Sequence, residues 1–214
     1  MNFLEKKKIL LIISGGIAAY KSLDLIRSLI KIQCEVKTIL TKGGAEFVTP
    51  LSIASLSKNK VYSDIYSVEN ESEMDHISLS RWADLILIAP ATSNIIAKMS
   101  QGISDDLATT VVQASNKSIF VCPAMNVRMW EHASNKQNLE KIKSYNYRII
   151  GPFNGEMACG EYGDGRMANI EYILKELDNF FKSKSSNKKY RAIVTAGPTQ
   201  EYIDPVRFIS NRSS

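Results

Sequence analysis

The side chains in this 214-residue chain best suited to proton transfer near neutral pH are few: His76, His132, Cys34, Cys122 and Cys159. Their settings separate them. Cys122 ends an apolar run and Cys34 precedes another, so both read as packed thiols, which behave as small hydrophobes. Cys159 lies instead in GEMACGEYGDGRM, residues 155–167, with four glycines among acids and one arginine. Such a stretch is a poor helix and a poor strand, and it reads as mobile backbone carrying an exposed thiol. A thiol with its ordinary pKa of about 8.5 is mostly protonated at neutral pH and can serve as an acid. His76, in MDHISLSRWADLILIAP, supplies an imidazole, the side-chain type most used for proton transfer at neutral pH, and is a candidate for that role. Taken alone, it reads more readily as a satisfied structural histidine than as a base. His132 has no partner signal. Three widely spaced cysteines without a CxxC pair argue against a disulfide framework or a zinc site, so no metal and a reducing cytoplasm are expected.

Polar groups that could hold a ligand follow apolar runs. SGGIAAYK, residues 14–21, places Gly15 and Gly16 at a strand-to-helix turn, where backbone N–H groups can face a phosphate. Tight packing alone also explains such a Gly-Gly pair. The turn is not GxGxxG, and the next strand ends in Leu40-Thr41-Lys42, without the acid that grips a dinucleotide ribose. A mononucleotide such as FMN therefore fits better than NAD. APATSNI, residues 89–95, supplies Thr92, Ser93 and Asn94, either to a ligand or as an N-cap cluster. In CPAMNVRMW, residues 122–130, Pro123 stops a strand and Asn126 stands where its amide could grip a carboxylate.

The elements that must position these groups alternate. Ile9 to Ile13 is a continuous apolar run, as in a strand buried on both faces. Ala19, Leu23, Ile26 and Ile30 fall on one face of a following helix. Further strands are predicted over 36–40, 84–89, 118–122 and 148–150, with helices over 105–114, 131–144 and 170–181. This order implies an α/β fold with a doubly wound parallel sheet, in which ligands bind beyond the carboxyl ends of the strands. A new strand is predicted over 192–195.

The bulk numbers agree. At 44% hydrophobic and 23% charged, the chain can bury one sizeable core, and no apolar stretch approaches the roughly 20 residues of a membrane span. Part of the net charge of +5 lies in residues 182–191, which read as a solvated linker; no set of aromatic platforms marks a nucleic-acid surface. The expected organisation is a domain over 1–181, a basic linker over 182–190, and the opening of a second domain over 191–214.

Taken in order over residues 8–181, SGGIAAYK, HISLSRWADLILIAPATSNIIAK, PAMNVRMW and ACGEYGDGRM resemble the flavin-containing cysteine decarboxylases of the phosphopantothenoylcysteine type. The resemblance implies a Rossmann-like flavoprotein fold. It implies FMN held by Gly15, Gly16, Ile17, Thr41, Thr92, Ser93, Asn94 and Ala124. It makes His76 and Cys159 catalytic, with Asn126 on the substrate carboxylate and Met125, Gly160, Arg166 and Met167 beside the substrate. It also implies a homotrimer, assembled further into a homododecamer in bifunctional members. Ser93 departs from the alanine common at that position. VTAGPTQEYIDPVRFISNRSS, residues 194–214, resembles the start of phosphopantothenate–cysteine ligase, with Asn211 at a position implicated in that chemistry; no ligase activity is expected of these residues alone.

The implied substrate, 4′-phosphopantothenoylcysteine, has an acylated nitrogen that cannot form the Schiff base used by pyridoxal enzymes. Oxidising its CH2–SH group to a thioaldehyde creates another electron sink. Carbon dioxide then leaves to give an enethiolate, which must regain a proton and a hydride. FMN can take and return that hydride, and a closing flap would shield it from water. The alternatives are a flavin prenyltransferase-like enzyme and a non-catalytic FMN-binding regulatory module.

Overall fold

The computed structural model describes residues 3–63, 75–158, 160–186 and 200–210. Its backbone order begins β1 (Lys8–Ile13), a 3-10 turn (Ile17–Ala19), α1 (Tyr20–Lys31), β2 (Glu35–Leu40), α2 (Lys42–Ala45), α3 (Pro50–Ser57) and β3 (Val61–Tyr62). Next come α4 (Asp75–Trp82), β4 (Leu85–Ala91), α5 (Ser93–Gln101), α6 (Leu107–Gln113), β5 (Ser118–Pro123), α7 (Val127–Glu131), α8 (Ala133–Ser144) and β6 (Arg148–Ile149). A hairpin of β7 (Phe153–Glu156) and β8 (Tyr162–Arg166) precedes α9 (Ile170–Ser186), and β9 (Gln200–Tyr202) and β10 (Phe208–Ser210) follow. Six strands form one sheet in the order β3-β2-β1-β4-β5-β6, with every pairing parallel.

Alternation along the strands divides the core into two layers. Ile9, Leu11 and Ile13 of β1 pack with Leu25, Ile26 and Leu29 of α1 and Ile173 and Leu177 of α9. Leu10 and Ile12 point the other way, into a cluster with Leu79 of α4, Ile95 and Ile96 of α5, and Val111 of α6. All seven residues of β4 are buried, which explains why the central strands read as continuous apolar runs. The strand order reverses between β1 and β4, and that switch point is where doubly wound sheets open a crevice.

Three local expectations are corrected. In α1 the buried stripe is Ser22, Leu25, Ile26 and Leu29, with Leu23 and Ile30 only partly buried. Ser22 opens the stripe, buried because its hydroxyl donates to the Ala89 carbonyl at 2.7 Å. The helix expected over 131–144 starts at Ala133: Glu131 ends the short α7, and His132 (φ −59°, ψ 135°) caps α8, its ring accepting from the Ser134 N–H at 3.2 Å.

The stretch expected to be mobile, 155–167, largely forms the antiparallel β7–β8 hairpin. Its glycines serve close contact as well as conformation. Gly163 and Gly165 have φ of +154° and +147°, a region other residues avoid. A Cβ on Gly163 would stand 2.9 Å from Val127 Cγ2, and one on Gly165 would overlap the Met125 carbonyl.

The chain divides into two compact units, Met1–Lys182 and Ser183–Ser214. Within the second, β9 and β10 pair antiparallel around a turn in which Asp204 accepts from the Val206 and Arg207 N–H groups. The strand expected over 192–195 lies outside the described residues. Among the described residues no helix is long and apolar enough to cross a membrane.

Candidate active site

The ends of β1 and β4 are tied by a buried hydroxyl. Ser14 Oγ donates to the Pro90 carbonyl at 2.7 Å and accepts from the Thr92 N–H at 3.0 Å. Thr92 in turn N-caps α5. Thr41, at the end of β2, donates to the Ile13 carbonyl at 3.2 Å and accepts from the Gly44 N–H at 3.1 Å. The loops after β1 and β2 therefore meet backbone to backbone. A Cβ on Gly15 would lie 3.1 Å from the Gly43 carbonyl oxygen, and one on Gly44 would lie 2.6 Å from that of Ile13.

These loops wall a cavity of about 840 Å³, whose lining includes Gly15, Gly16, Thr41, Thr92, Asn94 and Phe47. Opposite them, Lys98 Nζ reaches Asp105 at 2.7 Å and Asp106 at 3.4 Å. The hydrogen bond from Lys98 holds the exposed Asp105 carboxyl below its usual range. Hydroxyls and close-packed glycines at one end, with Ile39, Phe47 and Leu107 elsewhere, suit a ligand with a polar head and an apolar body. Gly43 and Gly44 were not among the candidates read from sequence. Their signal was a second Gly-Gly directly after a strand.

Gly16 also borders a second cavity, of about 470 Å³, under the β7–β8 hairpin. The Met125 N–H donates to the Gly165 carbonyl at 3.0 Å, fastening the hairpin to the loop that carries Asn126. Asn126 N-caps α7, its Oδ1 accepting from the Met129 N–H at 2.8 Å. That bond turns Oδ1 toward the start of α7 and leaves the Nδ2 donors available, which suits a carboxylate. Arg166 projects across Gly155, where a Cβ would stand 3.1 Å from Nη1; its buried Nε has no hydrogen-bond partner. Lys21 lines the same cavity, and its pKa is lowered by burial and then by the Arg166 charge.

The candidate residues thus separate into two neighbouring places. Gly15, Gly16, Thr41, Thr92 and Asn94 line the first cavity. Ile17 and Ala124, expected at the cofactor, line the second with Met125, Asn126, Arg166 and Met167. Met167 is also part of the core, at 1% exposure. Ser93 is the first residue of α5, and Gly160 is exposed in the hairpin turn with φ +80°; neither lines a cavity. His76 is half-buried on α4, outside both linings. Cys159 lies outside the described residues. The other two thiols are buried: Cys34 donates to the Leu4 carbonyl at 3.2 Å and is raised to about 11, while complete burial raises Cys122 further.

Comparison with known proteins gives these cavities a context. Residues 2–182 match the family model described as Flavoprotein, and residues 187–214 match the DNA/pantothenate metabolism flavoprotein C-terminal domain. The Coenzyme A biosynthesis bifunctional protein CoaBC of Haemophilus influenzae is 44% identical over 211 residues, covering 99% of this chain and 53% of that protein. Its Bacillus subtilis counterpart is 40% identical over 213 residues, covering 99% and 52%. The chain spans about half the length of these curated relatives. Among solved structures, a PPC decarboxylase variant complexed with pantothenoylaminoethenethiol superposes with a TM-score of 0.74 at 30% identity, over 83% of this chain and all of that one. The FMN binding protein AtHal3 superposes at 0.72 with 32% identity, over 84% and 98%.

Proposed function

Because the chain belongs to the flavoprotein family, we propose that it binds FMN and decarboxylates 4′-phosphopantothenoylcysteine to 4′-phosphopantetheine in coenzyme A biosynthesis. One observation carries the reading: an amide whose oxygen is held by its own N-cap bond, with its donors available, lines a cavity that adjoins a glycine-walled crevice at the sheet's switch point. The chain's likeness to a PPC decarboxylase supports the same reaction. The cytoplasm is the proposed compartment.

The residues fit the cofactor. Close backbone approach leaves little room for a side chain on Gly15, whose Cβ would lie 3.1 Å from the Gly43 carbonyl oxygen, and Ser14, Thr41 and Thr92 add hydroxyls to the first cavity. Gly15, Gly16, Thr41, Thr92 and Asn94 would hold FMN there, with Ser93, Ile17 and Ala124 at its border. When bound, FMN supplies a two-electron oxidant that can later return what it took. Asn126 holds the substrate carboxylate through Nδ2, while Met125, Gly160 and Met167 border the substrate. Cys159 protonates the former α-carbon of the enethiolate once carbon dioxide has left, and His76 acts in the decarboxylation half.

His76 lines neither cavity of its own chain, and Ile17 and Tyr20 stand 56% and 53% exposed beside the second. Both features support a site that a neighbouring subunit completes, and the assembly proposed is a homotrimer, with a homododecamer as its further assembly. Carbon dioxide release from phosphopantothenoylcysteine by the purified yellow protein tests the reaction. A flavin-loaded, folded protein that releases none would refute it. Light scattering tests the trimer, and a monomer with full activity would refute it.

A further inference from the structure

Two cations in the second cavity have no ion-pair partner among the described residues. Arg166 has a buried Nε without a hydrogen-bond acceptor, and Lys21, from the first turn of α1, lines the same space. The two side chains are close enough for Arg166 to disfavour the protonated form of Lys21. The acid among the described lining residues, Glu156, is solvent-exposed and makes no recorded bridge to either cation. Placing two like charges together in a partly buried cavity is unfavourable unless an anion joins them. The donor groups of Asn126 suit a planar, singly charged carboxylate. A guanidinium fork beside an ammonium suits a tetrahedral oxyanion of higher charge.

We propose that Lys21 and Arg166 form the subsite for the phosphomonoester end of the substrate, and that this pair makes the cavity select phosphorylated over unphosphorylated forms of one molecule. The assignment rests on the reaction read above and adds to it which end of the substrate each polar group receives. Asn126 takes the end that reacts; Lys21 and Arg166 take the end that does not. The backbone contacts of Gly163 and Gly165 keep β8, and with it Arg166, against the Asn126 loop. The two anchors therefore belong to one docked assembly.

The test compares Lys21→Met, Arg166→Met and the double variant with wild type, all as flavin-loaded protein. Calorimetry measures the binding of 4′-phosphopantetheine and of pantetheine; turnover is measured on the phosphorylated and unphosphorylated acyl-cysteines. Wild type should bind the phosphorylated ligand more tightly by about tenfold or more, the scale of one charge-assisted hydrogen bond. Each single variant should remove most of that preference and raise KM for the phosphorylated substrate alone. The double variant should treat both forms alike, and Lys21→Arg should recover part of the preference. Equal weakening toward both ligands, or an unchanged preference, would overturn the subsite. If wild type turns over neither acyl-cysteine but the binding preference and its loss are seen, the subsite stands and the proposed reaction falls.

Discussion

Gly165→Ala tests whether the β7–β8 hairpin must dock on the Asn126 loop for catalysis. Gly165 has φ +147°, and an alanine held there costs about 1–3 kcal/mol. The added methyl would overlap the Met125 carbonyl and stand 2.8 Å from Met157 Cε, an overpacking of about 1–3 kcal/mol. Moving the backbone apart to relieve it breaks the bond from the Met125 N–H to the Gly165 carbonyl, worth about 1 kcal/mol. Together these disfavour the docked hairpin by about 4 kcal/mol, close to a thousandfold at about 1.4 kcal/mol per decade. The parallel sheet and its two apolar layers do not depend on this contact, so undocking should spare the fold. Carbon dioxide release should fall by about a hundredfold or more, with flavin content retained and Tm lowered by only a few degrees or so. Gly160→Ala is the control: nothing lies within 4 Å of its Cβ and only the φ of +80° opposes it, so its loss should stay near or below about tenfold. A Gly165→Ala enzyme within about threefold of wild type, less than 1 kcal/mol, would refute the docking argument.

Further outcomes follow from the same geometry. Gly44→Ala, whose Cβ would stand 2.6 Å from the Ile13 carbonyl, should lower Tm and lose flavin, whereas Gly43→Ala, at 3.6 Å from its nearest neighbour, should keep both; flavin absorbance and a melting curve decide. Asn126→Asp places a carboxylate against the proposed substrate carboxylate and should raise KM by about tenfold or more, measured as carbon dioxide release. Cys159→Ser should release carbon dioxide normally yet accumulate oxidised product, and a normal phosphopantetheine yield would remove the assignment. His76→Asn should bind FMN and release no carbon dioxide. Iodoacetamide at pH 8 should spare Cys34 and Cys122 in the folded protein, because burial holds both thiols above the ordinary range and the reactive thiolate is scarce; both should label after unfolding.

The parallel sheet was legible because β1 and β4 are buried on both faces, which writes an unbroken apolar run into the chain. The stripe of α1 was harder to read, since it begins at a serine that bonds to Ala89 and polarity alone points away from the core. Gly15 and Gly16 announced a crevice; Gly44 did not, because its need for glycine comes from the Ile13 carbonyl, on a strand far away in sequence. The reading of residues 155–167 as mobile backbone missed the hairpin for a similar reason. Local propensity counts four glycines as flexible backbone, but Gly163 and Gly165 are small because Val127 and Met125 occupy the space. Contacts between residues far apart in sequence leave no periodic trace. His76 shows the same limit at the next level, for nothing local says which cavity a half-buried residue on α4 serves.

The N-cap bond of Asn126 bears on how the proposed product leaves. The carboxylate that its amide would hold is the group that leaves as carbon dioxide, so this contact exists for the substrate and vanishes for the product. Attraction at the reacting end is therefore consumed by turnover itself. A product that retains only its distal anchor dissociates more readily than its precursor, and accumulating product competes poorly for the free enzyme.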